Sequence, residues 1–80
     1  MTTTRHTLDT LGLLCPLPVL KARKALKGLA VGDELDVLAD DPAAVVDMPH
    51  YCEESGHTLV SADVDGPELR FVIRKEAGGR

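Results

Sequence analysis

The sequence predicts a two-layer α/β (α+β) sandwich: element order β-α-β-α-β-β, with a mixed four-stranded sheet and two helices on one face. Three observations lead there. Apolar spacing alternates along the chain between a helical period (Val19, Ala22, Leu26, Leu29) and a strand period (Leu35, Val37, Ala39; Leu69, Phe71, Ile73). Prolines stand where helices begin, at Pro16 and Pro42. An Asp65-Gly66-Pro67 turn separates two alternating runs near the end, which is a hairpin signal. The strand–helix–strand passages imply parallel pairing with right-handed crossovers. The closing hairpin is antiparallel, so the sheet is mixed. Eighty residues make a single domain, 1–80, with a folded core of about 7–75.

Residues 1–6 read as a frayed end, and the first strand as a short one over Thr7–Thr10. Gly12 then permits a turn angle that other residues resist. The first helix is expected from Pro16 to about Leu29, with Pro16 first, Pro18 third and Cys15 as its N-cap; Gly28 or Gly32 ends it. Glu34–Ala39 is a strand. Asp41-Pro42 and Asp47-Met48-Pro49 are two helix-start signals in succession. A proline deep in a helix costs about 3 kcal/mol. The expectation is therefore a helical turn over Pro42–Val46, then a separate helix Met48–Ser55 capped by Asp47 and closed by Gly56. Strands follow at Thr58–Val64 and Glu68–Lys75, with Val60, Ala62 and Val64 facing the side of Leu69, Phe71 and Ile73. Glu76–Arg80, polar and glycine-rich, is expected to be disordered.

Composition removes several function classes. One Tyr, one Phe and no Trp leave no stacking platform for single-stranded nucleic acid, and a net charge of −4 weighs against a nucleic-acid partner generally. No apolar run approaches the ~20 residues that span a bilayer, and the N-terminus lacks the apolar segment of a secretory signal. A cytoplasmic protein without membrane insertion is expected. Two cysteines in that setting are thiols rather than a structural disulfide. The Cys15…Cys52 spacing fits no paired zinc motif, so neither a metal nor a cofactor is expected.

Cys15 is the candidate reactive group. At the positive end of a helix macrodipole a thiol is expected to ionise more easily than the ~8.5 of free cysteine. A hydrolase would need a base beside the sulfur, and His6, His50 and His57 lie at no telling spacing. A thioredoxin-like oxidoreductase would need a cysteine two positions on, where Leu17 stands. What remains is a thiol that accepts a sulfur and hands it on, since sulfur–sulfur exchange depends on thiolate fraction, leaving group and access. Leu14 and Leu17 form an apolar rim around it. Lys21, Arg23, Lys24 and Lys27, with no acid among them, read as either a solvated face or a docking surface for acidic partners. Cys52, in register with Met48, Tyr51 and Ser55, reads as core, with a resolving thiol for Cys15 as the alternative.

Cys15-Pro16-Leu17-Pro18 after Leu8-Asp9…Leu11-Gly12 resembles the Cys-Pro-x-Pro signature of the TusA/SirA-like family of small sulfur-carrier proteins. The likeness continues through Ala39-Asp40-Asp41-Pro42-Ala43, Asp47-Met48-Pro49 and Ile73-Arg74-Lys75. Leu14 departs from it, being often polar or basic in the family. The resemblance implies a β-α-β-α-β-β fold and a persulfide carried on Cys15, with Gly12, Pro16 and Pro18 as supporting motif residues. It implies a cysteine desulfurase or rhodanese-like donor and a downstream sulfur-relay acceptor, in tRNA thiolation, cofactor biosynthesis or sulfur oxidation. Such a carrier is not an enzyme by itself. Two other classes stand beside it: a regulatory or redox-sensing interaction module with Cys15 incidental to sulfur transfer, and a stand-alone thiol enzyme.

Overall fold

The computed structural model describes residues 4–79. Its elements are β1 (Arg5–Asp9), α1 (Leu17–Lys27), β2 (Glu34–Ala39), α2 (Ala44–Ser55), β3 (Thr58–Asp63) and β4 (Leu69–Arg74). The sheet order is β1-β2-β4-β3, with β1 and β2 parallel and β4 antiparallel to both of its neighbours. The mixed sheet and the element order agree with the sequence reading. One detail does not: β2 and β3 run in the same direction but do not pair, because β4 lies between them.

Both helices cover one face. Ala22 and Leu26 of α1 and Ala44, Met48 and Cys52 of α2 meet Leu35, Val37, Ala39, Leu69, Phe71 and Ile73 of the sheet. The other face is charged. Glu34 accepts from Arg5 at 2.9 Å and from Arg74 at 3.3 Å, and Asp36 pairs with Arg70 at 3.2 Å. These side chains flank Val72, which is buried without a helix above it.

Several boundaries differ from expectation, each for a physical reason. β1 starts at Arg5 rather than Thr7, since the Glu34 amide donates to the Thr4 carbonyl and the Arg5 side chain holds the Glu34 carboxylate. Residues 1–3 of the expected frayed end lie outside the described residues. α2 is one continuous helix through Pro49, not a turn followed by a second helix. Its buried residues Ala44, Met48 and Cys52 fall at four-residue spacing across the proline, so packing offsets the proline's cost. The carbonyl left without an amide partner belongs to Val45, an exposed residue. Asp41 does not cap this helix as expected: its carboxylate accepts the Ala43 amide at 3.1 Å, but Ala43 is the N-cap and the helix proper starts at Ala44, two residues after Pro42. Asp47 is not a cap. Gly56 closes α2 at φ 85°, the left-handed conformation expected of it, and Gly28 rather than Gly32 caps α1.

In β3 the register shifts between Leu59 and Ser61. The shift leaves Leu59 opposite Ile73 and Ala62 opposite Phe71, so Val60 falls out of the inward row assigned to it. Val60, Ala62 and Val64 are all exposed, and it is the partly buried Leu59 that packs against the core.

Of the tail expected to be disordered, residues 76–79 are placed rather than loose, and Arg80 lies outside the described residues. The buried His57 accepts the Glu76 amide at Nδ1 over 3.1 Å, and the Gly79 amide closes a turn onto the Glu76 carbonyl. Composition suggested otherwise because it cannot register a buried imidazole acceptor. Burial, with the nearby Lys75 charge, lowers the His57 pKa from its ordinary value. The neutral form therefore belongs to the fold, and the unfolded chain binds the extra proton. Stability is full above the unfolded-state value of ~6.5 and declines as pH falls from there toward the lower folded value. The midpoint of thermal unfolding should drop between about pH 7.5 and 5.5, and His57→Gln should flatten that slope. Circular dichroism melts across this range check it.

Candidate functional site

Because β1 and β2 are parallel, the segments leaving their C-terminal ends emerge together. Thr10 is buried at this junction, donating its amide (2.9 Å) and hydroxyl (2.5 Å) to the Leu38 carbonyl. Gly12, at φ 80°, turns the chain so that its amide meets both Asp40 carboxylate oxygens at 3.0 and 3.1 Å. The Cys15 amide donates to Asp41 at 2.6 Å. Hydrogen bonds from the Cys15 and Ala43 amides hold the Asp41 carboxyl below the usual carboxylate range. Gly12 thus has the turn angle expected of it, and two aspartates from the next loop fix the cysteine-bearing turn in place.

The helix start is displaced by one residue. The peptide bond between Cys15 and Pro16 is cis, Pro16 is the N-cap, and α1 begins at Leu17 with Pro18 in its first turn. The Leu17 amide donates to the Leu14 carbonyl and the Leu20 amide to that of Pro16. Pro18 is buried and has no amide to offer. Little of the helix end is left to stabilise an anion.

Cys15 is exposed and free. Its sulfur lies 2.7 Å from Asp47 Oδ2 as a hydrogen-bond donor. That contact, some desolvation, and the negative charges of Asp47 and Asp41 raise the thiol pKa above its ordinary value. The expectation of an acidic thiol is therefore corrected. The macrodipole argument counted the helix and missed two carboxylates that favour the protonated sulfur. In the sequence Asp47 reads as a helix cap, and nothing local ties it to Cys15. A signal was available: in parallel strands joined by a crossover, the acidic Asp40-Asp41 loop had to land beside the Cys15 turn.

The apolar rim is larger than foreseen. Leu14 is 70% exposed, Leu17 44% and Leu20 49%. Between α1 and α2 a groove of about 330 Å³ opens beside the sulfur, lined by Cys15, Leu20, Arg23, Asp47, His50 and Glu54 among others. Of the four α1 bases, Arg23 enters this groove; Lys21 and Lys24 are exposed outside it, and Lys27 borders a smaller cavity with His57 and Lys75. Among the described residues none of the four forms an ion pair. His50 reaches the groove, but its imidazole contacts Glu54 at 3.2 Å, not the sulfur. Cys52 is buried, and burial pushes its thiol up to about 11. Among the described residues no cluster of His, Cys, Asp and Glu is arranged to hold a metal ion, and no helix is long and apolar enough to cross a membrane.

Comparison with known proteins agrees with this geometry. The family model for the sulfurtransferase TusA matches residues 6–75. A SirA-like protein from Desulfitobacterium hafniense, known from its crystal structure, superposes with a TM-score of 0.76 at 29% sequence identity, over 89% of this chain and 97% of that one. With the match running from β1 to the residue after β4, through the Cys15 turn and both helices, the chain belongs to the TusA family of sulfurtransferases.

Proposed function

We propose that this protein is a sulfur carrier of the cytoplasm: Cys15 accepts a sulfane sulfur from a donor protein, holds it as a persulfide, and passes it to an acceptor protein. The donor is a cysteine desulfurase or a rhodanese-like protein, and the acceptor is the next member of a sulfur relay. The carrying observation is the exposure of Cys15 on a braced turn that holds neither a second thiol nor an imidazole bonded to the sulfur. An exposed thiol without its own acid–base set suits exchange completed by a partner. Loading breaks the donor's S–S bond as the Cys15 thiolate attacks its outer sulfur. The donor leaves as thiolate, and no net oxidation occurs. Unloading repeats the step with an acceptor thiolate.

Leu14, Leu17 and Leu20 supply an apolar contact around the sulfur, and the unpaired Lys21, Arg23, Lys24 and Lys27 supply a field for an acidic partner surface. Incubation with a cysteine desulfurase and cysteine, followed by intact mass measurement, should show a gain of about 32 Da that a reductant removes. Reversing Arg23 and Lys24 to Glu should slow loading about tenfold at low salt and much less at high salt, since screening removes the interaction being lost. Failure to gain sulfur from any persulfide donor would overturn the proposal.

A further inference from the structure

We infer that Asp47 is a latch on Cys15: its carboxylate keeps the sulfur protonated in the free protein and is the seat for a cationic side chain of the docking partner, whose arrival frees the thiolate. The argument starts from geometry. Asp47 Oδ2 accepts the Cys15 thiol at 2.7 Å, and Asp41 stands behind the same residue on its backbone amide. A carboxylate stabilises S–H by accepting its proton and disfavours S⁻ by like charge. The other charged or titratable groups facing the sulfur's surroundings are Arg23 from α1 and His50, Tyr51 and Glu54 from α2. Neither cation among them bonds the sulfur or Asp47, and His50 is taken up by Glu54. The charges that touch Cys15 are both negative.

That arrangement protects an exposed thiol. Oxidation proceeds through the thiolate, so a protonated sulfur at the surface resists it between deliveries. The same arrangement makes release conditional. Asp47 also lines the groove between α1 and α2, which gives a lysine or arginine an open approach to it. A cation paired with Asp47 cancels the repulsion and lies beside the sulfur, where it favours the charged form. Once loaded, the persulfide anion is repelled by Asp47 and turned outward for the acceptor. The partner this site fits carries a basic residue next to its own reactive sulfur.

This inference draws on the carrier reading only for what the partner delivers; the latch itself is tested without any sulfur donor. The rate of alkylation of the intact protein by iodoacetamide is followed against pH for the natural protein, Asp47→Asn and Asp47→Glu, with circular dichroism to establish folding. Asp47→Ser is a second neutral variant should the amide disturb the turn. The neutral variants are expected to shift the profile to lower pH and raise the rate near pH 7 at least threefold, while Asp47→Glu stays close to the natural protein. The partner's charge is probed with two small disulfides, cationic cystamine and anionic dithiodipropionate. The ratio of their exchange rates should fall about fivefold when Asp47 is neutral. A profile that does not move, or moves to higher pH, overturns the latch; an unchanged ratio overturns the cationic seat. A protein that shows both shifts yet takes up no sulfur refutes the carrier reading alone.

Discussion

Cys15→Ser is expected to abolish sulfur loading outright, with no mass gain of about 32 Da under conditions that load the natural protein. The effect should be complete because the chain has only one other cysteine, and that one cannot substitute. Cys52 lies in the core beside Met48, and burial pushes its thiol to about 11, so its thiolate fraction near neutral pH is about one in ten thousand. Serine retains the turn. The Asp41 carboxylate binds the backbone amide at position 15, and a hydroxyl can still donate to Asp47. The variant should therefore fold, with an unfolding midpoint within a few degrees of the natural protein's. Cys52→Ala is the matching control: it should load normally and lose some stability, as a truncated core residue does. The pair also separates the carrier from a regulatory module. If a cellular role survives Cys15→Ser intact, the exchange chemistry is not what the protein is used for.

Most of the architecture was legible because it rests on periodicity. The alternation at Leu35, Val37 and Ala39 and the spacing at Ala22 and Leu26 each name a buried face, and those faces are the ones that meet. The errors fall where a local rule met a competing contact. Pro49 reads locally as a helix breaker, but the row Ala44, Met48, Cys52 carries the helix across it. Strict alternation places Val60 inward, and a register shift at Leu59–Ser61 interrupts that alternation. Nothing along the chain says that the His57 nitrogen ties down residue 76.

The candidate site divides the same way. Gly12, Cys15, Pro16 and Pro18 lie within seven consecutive residues, so the sequence alone presents them as one motif. Asp41 and Asp47 lie 26 and 32 residues from Cys15 and reach it only through the parallel pairing of β1 and β2. They change the chemistry in sign, from an acidic thiol to one held protonated. Local sequence located the sulfur, and tertiary structure set its protonation.

Stability, by contrast, is anchored far from this chemistry, and Phe71→Ala should be the most damaging single change to the fold. Phe71 is fully buried, is the chain's one phenylalanine, and sits on β4 opposite Val37 of β2 and Ala62 of β3, in the core cluster between sheet and helices. Truncating a buried phenylalanine costs about 3–5 kcal/mol, through lost transfer energy and the cavity left behind. A domain this size has roughly 4–12 kcal/mol in all. In so small a protein that loss should lower the unfolding midpoint by about 12 °C or more, read by far-ultraviolet circular dichroism since there is no tryptophan to follow. Phe71→Leu, which leaves a smaller void, should fall between. The informative comparison is with Asp47→Asn. Below its lowered midpoint, Phe71→Ala should keep the natural pH profile of Cys15 alkylation, because the Asp41 and Asp47 contacts lie at the strand ends and the start of α2. Asp47→Asn should shift that profile and leave the midpoint nearly unmoved. If instead Phe71→Ala shifted the profile while still folded, the Cys15 turn would be held by the core rather than by its aspartates.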